Sequence, residues 1–202
     1  MSNKRTTYHH GNLREALILE TEKMLDEHLL HHITLQRLGK RLGVATSAAY
    51  RHFSNKNDLL YAVATRSFER YKHIFQNIRL DHNLDTATRF RQMGKAYVEF
   101  AISHPDYYKL MYREPLIGDN ETSELEQARN QVFNELLLIL QQCQEDHLIE
   151  QRDLTTQALL IWSSIHGLCS LVIDKHLAPQ QYQADTVDFF LNSLFHGLRK
   201  QT

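Results

Sequence analysis

The sequence is poor in residues that mark several classes of protein. Its 202 residues include two cysteines, three prolines and seven glycines. The two cysteines, Cys143 and Cys169, cannot build a disulfide framework, and they fit a reducing, intracellular compartment. Few prolines and glycines, beside many leucine, alanine, glutamate, glutamine and arginine residues, favour helices over strands.

Long hydrophobic runs and a strong net charge are also missing. No apolar run follows Lys4 and Arg5, and uninterrupted apolar stretches such as 136–140 are short. We therefore expect no secretory leader, no segment that spans a bilayer, and a cytoplasmic location. The formal net charge is -1, yet residues 1–60 hold nine of the 23 Lys and Arg and six of the 24 Asp and Glu. This local excess of positive charge predicts a polyanionic partner for the N-terminal part alone.

The spacing of apolar residues predicts helices along nearly the whole chain. Asn12 and Thr34 are placed to cap the first two helices, Gly43 to end the second, and Pro105 to begin the sixth. The predicted helices cover about 12–28, 35–42, 46–52, 55–78, 87–103, 105–114, 123–147, 154–176 and 182–199, with a loop at 115–123. The chain is thus predicted to be all-α with about nine helices, in a three-helix domain over 1–56 and a helical bundle over 57–202.

The second and third helices have the layout of a helix-turn-helix, since a very short turn with Gly43 at its corner joins them. In such a unit the start of the third helix enters the major groove of double-stranded DNA. Hydroxyl and methyl groups can read base edges there, while basic and phenolic groups bind bases or phosphates. The candidate DNA-binding residues are Thr34, Thr46, Ser47, Ala48, Tyr50, Arg51, His52 and Lys56. The same pattern also occurs in proteins that never bind DNA, so it leaves the question open.

Three N-terminal stretches carry a more specific resemblance: "YHHGNLREAL" (8–17), "ITLQRLGKRLGV" (33–44) and "AAYRHFSNKNDLL" (48–60). They resemble the DNA-binding domain of the tetracycline-repressor-like (TetR) transcriptional regulators. "HPDYYKLMY" (104–112) and "WSSIHGL" (162–168) resemble a subgroup with a Trp-His-Gly signature. The chain departs from the family at Ala45, where a serine often caps the third helix. Either Thr46 or Ser47 takes that cap, or the cap is weak.

The resemblance implies a homodimer that binds a palindromic operator, usually as a repressor that a small-molecule inducer releases. It also implies dimerisation through the last two helices. Independently, the predicted helix 154–176 is apolar on nearly every side, and the last helix is apolar over more than one face. Such surfaces suit either a dimer interface or the centre of one monomer.

Candidate ligand-binding residues in the bundle are aromatic or polar-tipped, as small-molecule cavities require. They are Tyr97, Phe100, Tyr107, Met111, Phe133, Trp162 and His166. Each of them also suits an ordinary packed core.

The thirteen histidines do not predict a metal site, since the pairs His9-His10 and His31-His32 have poor chelating spacing. No catalytic residue and no cofactor are expected either. Two other functions stay open. One is a helical enzyme or lipid-binding bundle whose N-terminal domain (residues 1–56, called the head below) is non-functional. The other is an architectural DNA-binding protein that has no inducer.

Overall fold

The computed structural model of the chain describes residues 12–112 and 122–199. Within these ranges there are nine α-helices and no strand, which confirms the all-α prediction. The helices are α1 (Leu13–Asp26), α2 (Leu35–Leu42), α3 (Thr46–Tyr50), α4 (Lys56–Arg79), α5 (Thr86–Ser103), α6 (Pro105–Tyr112), α7 (Ser123–Glu145), α8 (Leu154–Ile173) and α9 (Ala184–Gly197). Most of the predicted loop 115–123, and the pair His9-His10, lie outside the described residues.

Local sequence signals set both ends of α2. The Thr34 hydroxyl accepts a hydrogen bond from the Arg37 backbone N–H at 3.1 Å, as an N-cap should. Gly43 has φ +70°, the left-handed conformation that ends helices. The expected cap on α1 was wrong, because Asn12 stands at the N-cap position but its side chain makes no capping hydrogen bond.

Five helices, α1, α3, α7, α8 and α9, end two or three residues earlier than the apolar spacing predicted, and three of them share one kind of turn. α1, α7 and α8 are followed by His28, His147 and Lys175, each with φ between 56° and 60°. After each of them, the next residue's N–H donates to a carbonyl five residues back at 2.8 to 2.9 Å. This left-handed turn terminates a helix, and a glycine normally adopts it.

One continuous core runs through the molecule. α4 packs against α1 near the head, and further along it packs against α5, α6 and α7. α5 occupies the middle of the bundle, in contact with α4, α6, α7, α8 and α9. Because α4 begins at Lys56 and serves both parts, the boundary between 56 and 57 stays a prediction.

Candidate nucleic-acid interface and ligand cavity

The short helix α3 presents small residues at its exposed start. Ser47 is exposed, Thr46 and Ala48 are half-buried, and Ala49 is fully buried against the core of the head. Ala45 itself is the N-cap residue, and no side chain caps the helix. Neither Thr46 nor Ser47 therefore takes the cap, and the weak-cap alternative holds.

Four side chains at the end of α3 and the start of α4 are free of hydrogen bonds and ion pairs to the described part of the chain. They are Tyr50, Arg51, His52 and Lys56. Tyr50 is 54% exposed. Arg51 and His52 are exposed and Lys56 is half-buried. This arrangement offers a phenol and two permanent cations to an external anion.

The basic residues of α2 divide into two groups. Arg41 is paired within the head. Its guanidinium donates to Glu20 at 2.6 Å and to both carboxylate oxygens of Glu27 at 2.6 and 2.7 Å. These bonds lower the pKa of Glu27. Arg37 and Lys40, by contrast, are exposed and make no side-chain bond to a described residue.

The turn between α2 and α3 depends on two glycines. A side chain on Gly43 would be strained at its positive φ. A Cβ on Gly39 would lie 3.2 Å from the backbone oxygen of Val44, which is tighter than ordinary contact. The close approach of α3 to α2 thus fixes how α3 projects from the head.

A cavity of about 240 Å³ lies in the bundle among α4, α5, α6, α7 and α8. Its wall is predominantly apolar and aromatic, with Arg129 and Asn130 on α7 as its most polar members. The lining residues are Phe75, Phe90, Met93, Gly94, Tyr97, Tyr112, Arg129, Asn130, Val132, Phe133, Leu136, Leu159, Ile161, Trp162 and Ile165.

Three of the seven predicted ligand-binding residues line this cavity, namely Tyr97, Phe133 and Trp162. The other four lie outside its wall. Phe100 packs on Tyr71 with 4.8 Å between ring centroids, and Met111 is buried in the core.

The remaining two of the four make specific hydrogen bonds. Tyr107 donates to the backbone carbonyl of Glu22 at 3.1 Å. The His166 Nδ1 atom lies 2.6 Å from the Tyr108 hydroxyl and 3.1 Å from that of Tyr97. Burial raises the pKa of Tyr97 well above its usual value, so this phenol stays neutral.

Helix α6 connects the cavity to the head. Its last described residue, Tyr112, lines the cavity. At its other end, the Asp106 carboxylate accepts a hydrogen bond from the backbone N–H of Leu30 at 3.1 Å, and Tyr107 bonds α1 at Glu22. Helix α6 therefore borders the cavity at one end and is hydrogen-bonded to the backbone of the head at the other.

Helix α8 has one buried face and one exposed apolar face. Leu159, Leu160 and Leu171 are 49%, 50% and 45% exposed. No Asp, Glu, Lys or Arg occurs in α8. On α9, Phe189 is 73% exposed. The chain before α8 and the chain after α9 meet at one point, where the Glu150 N–H donates to the Leu198 carbonyl at 2.8 Å.

The expectation that no segment could span a bilayer was wrong on length and composition. α8 has 20 residues and a mean hydropathy of 1.4 over its most apolar window. By length and composition alone, it could therefore cross a membrane. A single such helix is weak support for a membrane, because the core helix of a water-soluble protein has the same features.

Among residues 12–112 and 122–199, no group of three or more His, Cys, Asp or Glu side chains could hold a metal ion. Both cysteines are buried in the core. Burial raises the pKa of Cys143 and of Cys169 to about 12, so neither is a thiolate nucleophile at neutral pH.

Family models match both parts of the chain. "Bacterial regulatory proteins, tetR family" matches residues 17–63, and "Tetracyclin repressor-like, C-terminal domain" matches residues 90–194, more than half of the sequence. The chain belongs to the TetR family. The helix-turn-helix of this TetR-family protein lies within the first match, and most of the cavity wall lies within the second.

Solved structures share its fold. A protein of unknown function from Rhodococcus sp. RHA1 is 25% identical, with a TM-score of 0.83, over 96% of this chain and 100% of that one. The TetR family transcriptional regulator PfmR from Thermus thermophilus is 16% identical, with a TM-score of 0.69, over 91% and 99% of the two chains.

A curated relative also matches this TetR-family chain. An HTH-type transcriptional regulator of Staphylococcus aureus (strain USA300) is 34% identical over 86 residues, which are 38% of this chain and 46% of the relative. The chain thus matches just under half the length of that relative.

Several residues that lie on the exposed basic surface or line the cavity were not among the candidates predicted from the sequence. In the head of this TetR-family protein they are Arg37 and Lys40, and at the cavity they are Tyr112 and Arg129. For the first pair a signal existed, since both lie on the polar side of a short amphipathic helix.

Proposed function

We propose that this protein is a homodimeric, DNA-binding transcription regulator, acting as a repressor that a small molecule releases from a palindromic operator. The observation that carries the proposal is the set of unpaired groups around α3. Tyr50, Arg51 and Lys56 lie beside an exposed helix start with small residues, inside the matched tetR-family segment. Phosphates are bound by such cations and phenols, and base edges by such small side chains.

Arg37 and Lys40 extend this basic surface along α2. Both are exposed and without a described side-chain partner, whereas the nearby Arg41 is held by two carboxylates. We assign Arg37 and Lys40 to phosphate contacts, which add affinity without reading sequence. Thr46 and Ser47 are assigned to base contacts, together with the methyl group of Ala48.

Dimerisation through α8 and α9 accounts for the exposed apolar face. A charge-free helix with half-exposed leucines, together with a largely exposed phenylalanine on α9, resembles half of a protein core and not a solvated surface. A two-fold arrangement would bury these residues against their own copies. It would also place two α3 helices on one duplex, which is what a palindrome requires.

Helix α6 supplies the route by which a ligand changes DNA affinity. A molecule in the cavity would contact Tyr112, and α6 holds the head through Asp106 and Tyr107. Because the helix is short and bonded at one end to backbone groups of the head, a displacement at the cavity would move the head with it.

We propose no catalytic role and a cytoplasmic location, where the operator is. The cavity wall offers phenols and one guanidinium but no carboxylate, histidine or cysteine that could act as base or nucleophile among its described residues.

Selection of duplexes from a random library by the full-length protein tests this function. We expect palindromic sequences whose half-sites lie about one helical turn, or a small multiple of it, apart. Ser47→Ala should change the selected bases, whereas Lys56→Gln should weaken binding to all sequences similarly. A library that shows no enrichment after selection would remove the proposal.

A further inference from the structure

The wall of the cavity has one kind of charge. Among its described lining residues, Arg129 is the only ionised side chain, and there is no Asp or Glu. Arg129 lies half-buried on α7, next to the exposed Asn130. Its five N–H donors allow it to bind a ligand acid in addition to a partner within the protein. A ligand inside therefore meets one guanidinium group and an otherwise uncharged, mostly apolar wall.

The positive charge of Arg129 shares the cavity wall with several aromatic side chains. Burial raises the pKa of the Tyr112 phenol well above its usual value, and the charge of Arg129 opposes that rise. Tyr112 packs 6.3 Å from Tyr97 and 6.4 Å from Trp162, measured between ring centroids, and all three line the cavity. Arg129 thus lies within electrostatic reach of side chains that a bound molecule would touch.

We propose that the cavity binds a small organic acid, with its apolar body among the aromatic side chains and its carboxylate on Arg129. This names the chemical class of the effector and so rests on the proposed function. A carboxylate matches the guanidinium as a bidentate, charge-assisted acceptor. A cationic ligand would meet like charge there, and a neutral apolar ligand would leave the guanidinium without an added partner.

The volume limits the size of the acid. A cavity of about 150 Å³ holds a benzene molecule, and the present one measures about 240 Å³. The part of the ligand that lies inside the cavity is therefore a single substituted ring or a short alkyl chain.

Isothermal titration calorimetry on the full-length protein without DNA tests the proposal. The probes are small aromatic and aliphatic monocarboxylates, each with its neutral amide and its amine, for example phenylacetate, phenylacetamide and phenethylamine. We expect acids to bind at least about tenfold more tightly than their amides, since hydrogen bonds to charged groups are the stronger ones. The amines should bind most weakly.

Two variants locate the site. Arg129→Gln should lower the affinity for acids by about 10- to 100-fold and change the affinity for amides by less than about threefold. Val132→Phe fills the cavity and should abolish binding of every probe. Arg152→Gln, at an exposed arginine before α8, serves as the matched control and should change nothing.

Equal affinity of acids and amides, an unchanged affinity of Arg129→Gln for acids, or no binding of any acid at millimolar concentration would each overturn the proposal. If Arg129 only supported the fold, its substitution would weaken acids and amides alike. Since no DNA is present, failure of operator binding would leave this result intact, and acid binding could fail while operator selection succeeds.

Discussion

The exposed aromatic residue on α9 gives a quantitative prediction for assembly. Phe189 is 73% exposed in the single chain. A phenylalanine side chain can bury roughly 200 Å², so about 150 Å² per protomer is left for a partner to cover. At about 25 cal/mol per Å² this corresponds to about 4 kcal/mol per protomer. Because a two-fold interface contains the residue twice, Phe189→Ala should weaken the dimer by about 3 to 7 kcal/mol, or at least a hundredfold in dissociation constant.

Sedimentation velocity over a range of protein concentrations measures this change. The matched control is Ile74→Ala, which truncates an apolar side chain that is 44% exposed on α4, a helix outside the proposed interface. The control should associate like the wild type. The reasoning is refuted if Phe189→Ala remains a dimer at the dilution where the wild type does, or if Ile74→Ala dissociates equally.

Three further predictions concern the fold. Gly43→Ala should lower the free energy of unfolding by about 1 to 2 kcal/mol because φ is +70°, with Gly43→Asn costing less, as urea denaturation would show; equal losses would contradict it. Glu135→Gln removes the buried carboxylate that pairs with the half-buried Arg79 at 2.7 Å, and it should cost about 3 kcal/mol in the same assay; a loss below about 1 kcal/mol would contradict a largely desolvated pair. Hydrogen bonds at helix N-termini, from Thr88 to Asp85 and from Thr156 to Asp153, lower the pKa values of these aspartates. Their stabilisation is therefore full above the unfolded-state pKa and is lost as pH falls through the lower folded-state pKa. The double variant Asp85→Asn/Asp153→Asn should lose less thermal stability on acidification than the wild type, and an equal loss would contradict this.

Helix starts were easier to predict from the sequence than helix ends. α2 has the bounds that Thr34 and Gly43 indicated, because a threonine N-cap and a left-handed glycine act locally. The ends of α1, α7 and α8 were placed too late. The turns after these helices have positive φ at His28, His147 and Lys175. Because none of these residues is a glycine, the local sequence did not predict the turns.

The wall of the cavity was only partly predictable. The candidates were chosen for their aromatic or polar-tipped side chains, and three of them, Tyr97, Phe133 and Trp162, line the cavity. Helical periodicity adds which residues face inward. It cannot tell which inward residues border a void, since that depends on how the helices rotate and pack. Phe100 and Met111 share the chemistry of the lining residues but lie in continuous core.

The basic surface of the head shows the same limit. Arg37, Lys40 and Arg41 are neighbours in sequence with similar charge. Only the packing of α2 beside α1 shows that Arg41 is held by Glu20 and Glu27, while the other two stay available. Long-range pairing of side chains decides which charges are free, and sequence spacing does not record it.

A DNA titration tests the central claim, a dimer with two DNA-reading heads, most directly. Fluorescence anisotropy would compare the selected palindromic duplex with a duplex in which one half-site is scrambled, at several salt concentrations. We expect one dimer per palindrome and at least about tenfold weaker binding to the scrambled duplex. The slope of the logarithm of the binding constant against the logarithm of salt concentration should correspond to several phosphate contacts. Equal affinity for both duplexes, or binding that is insensitive to salt, would contradict the account.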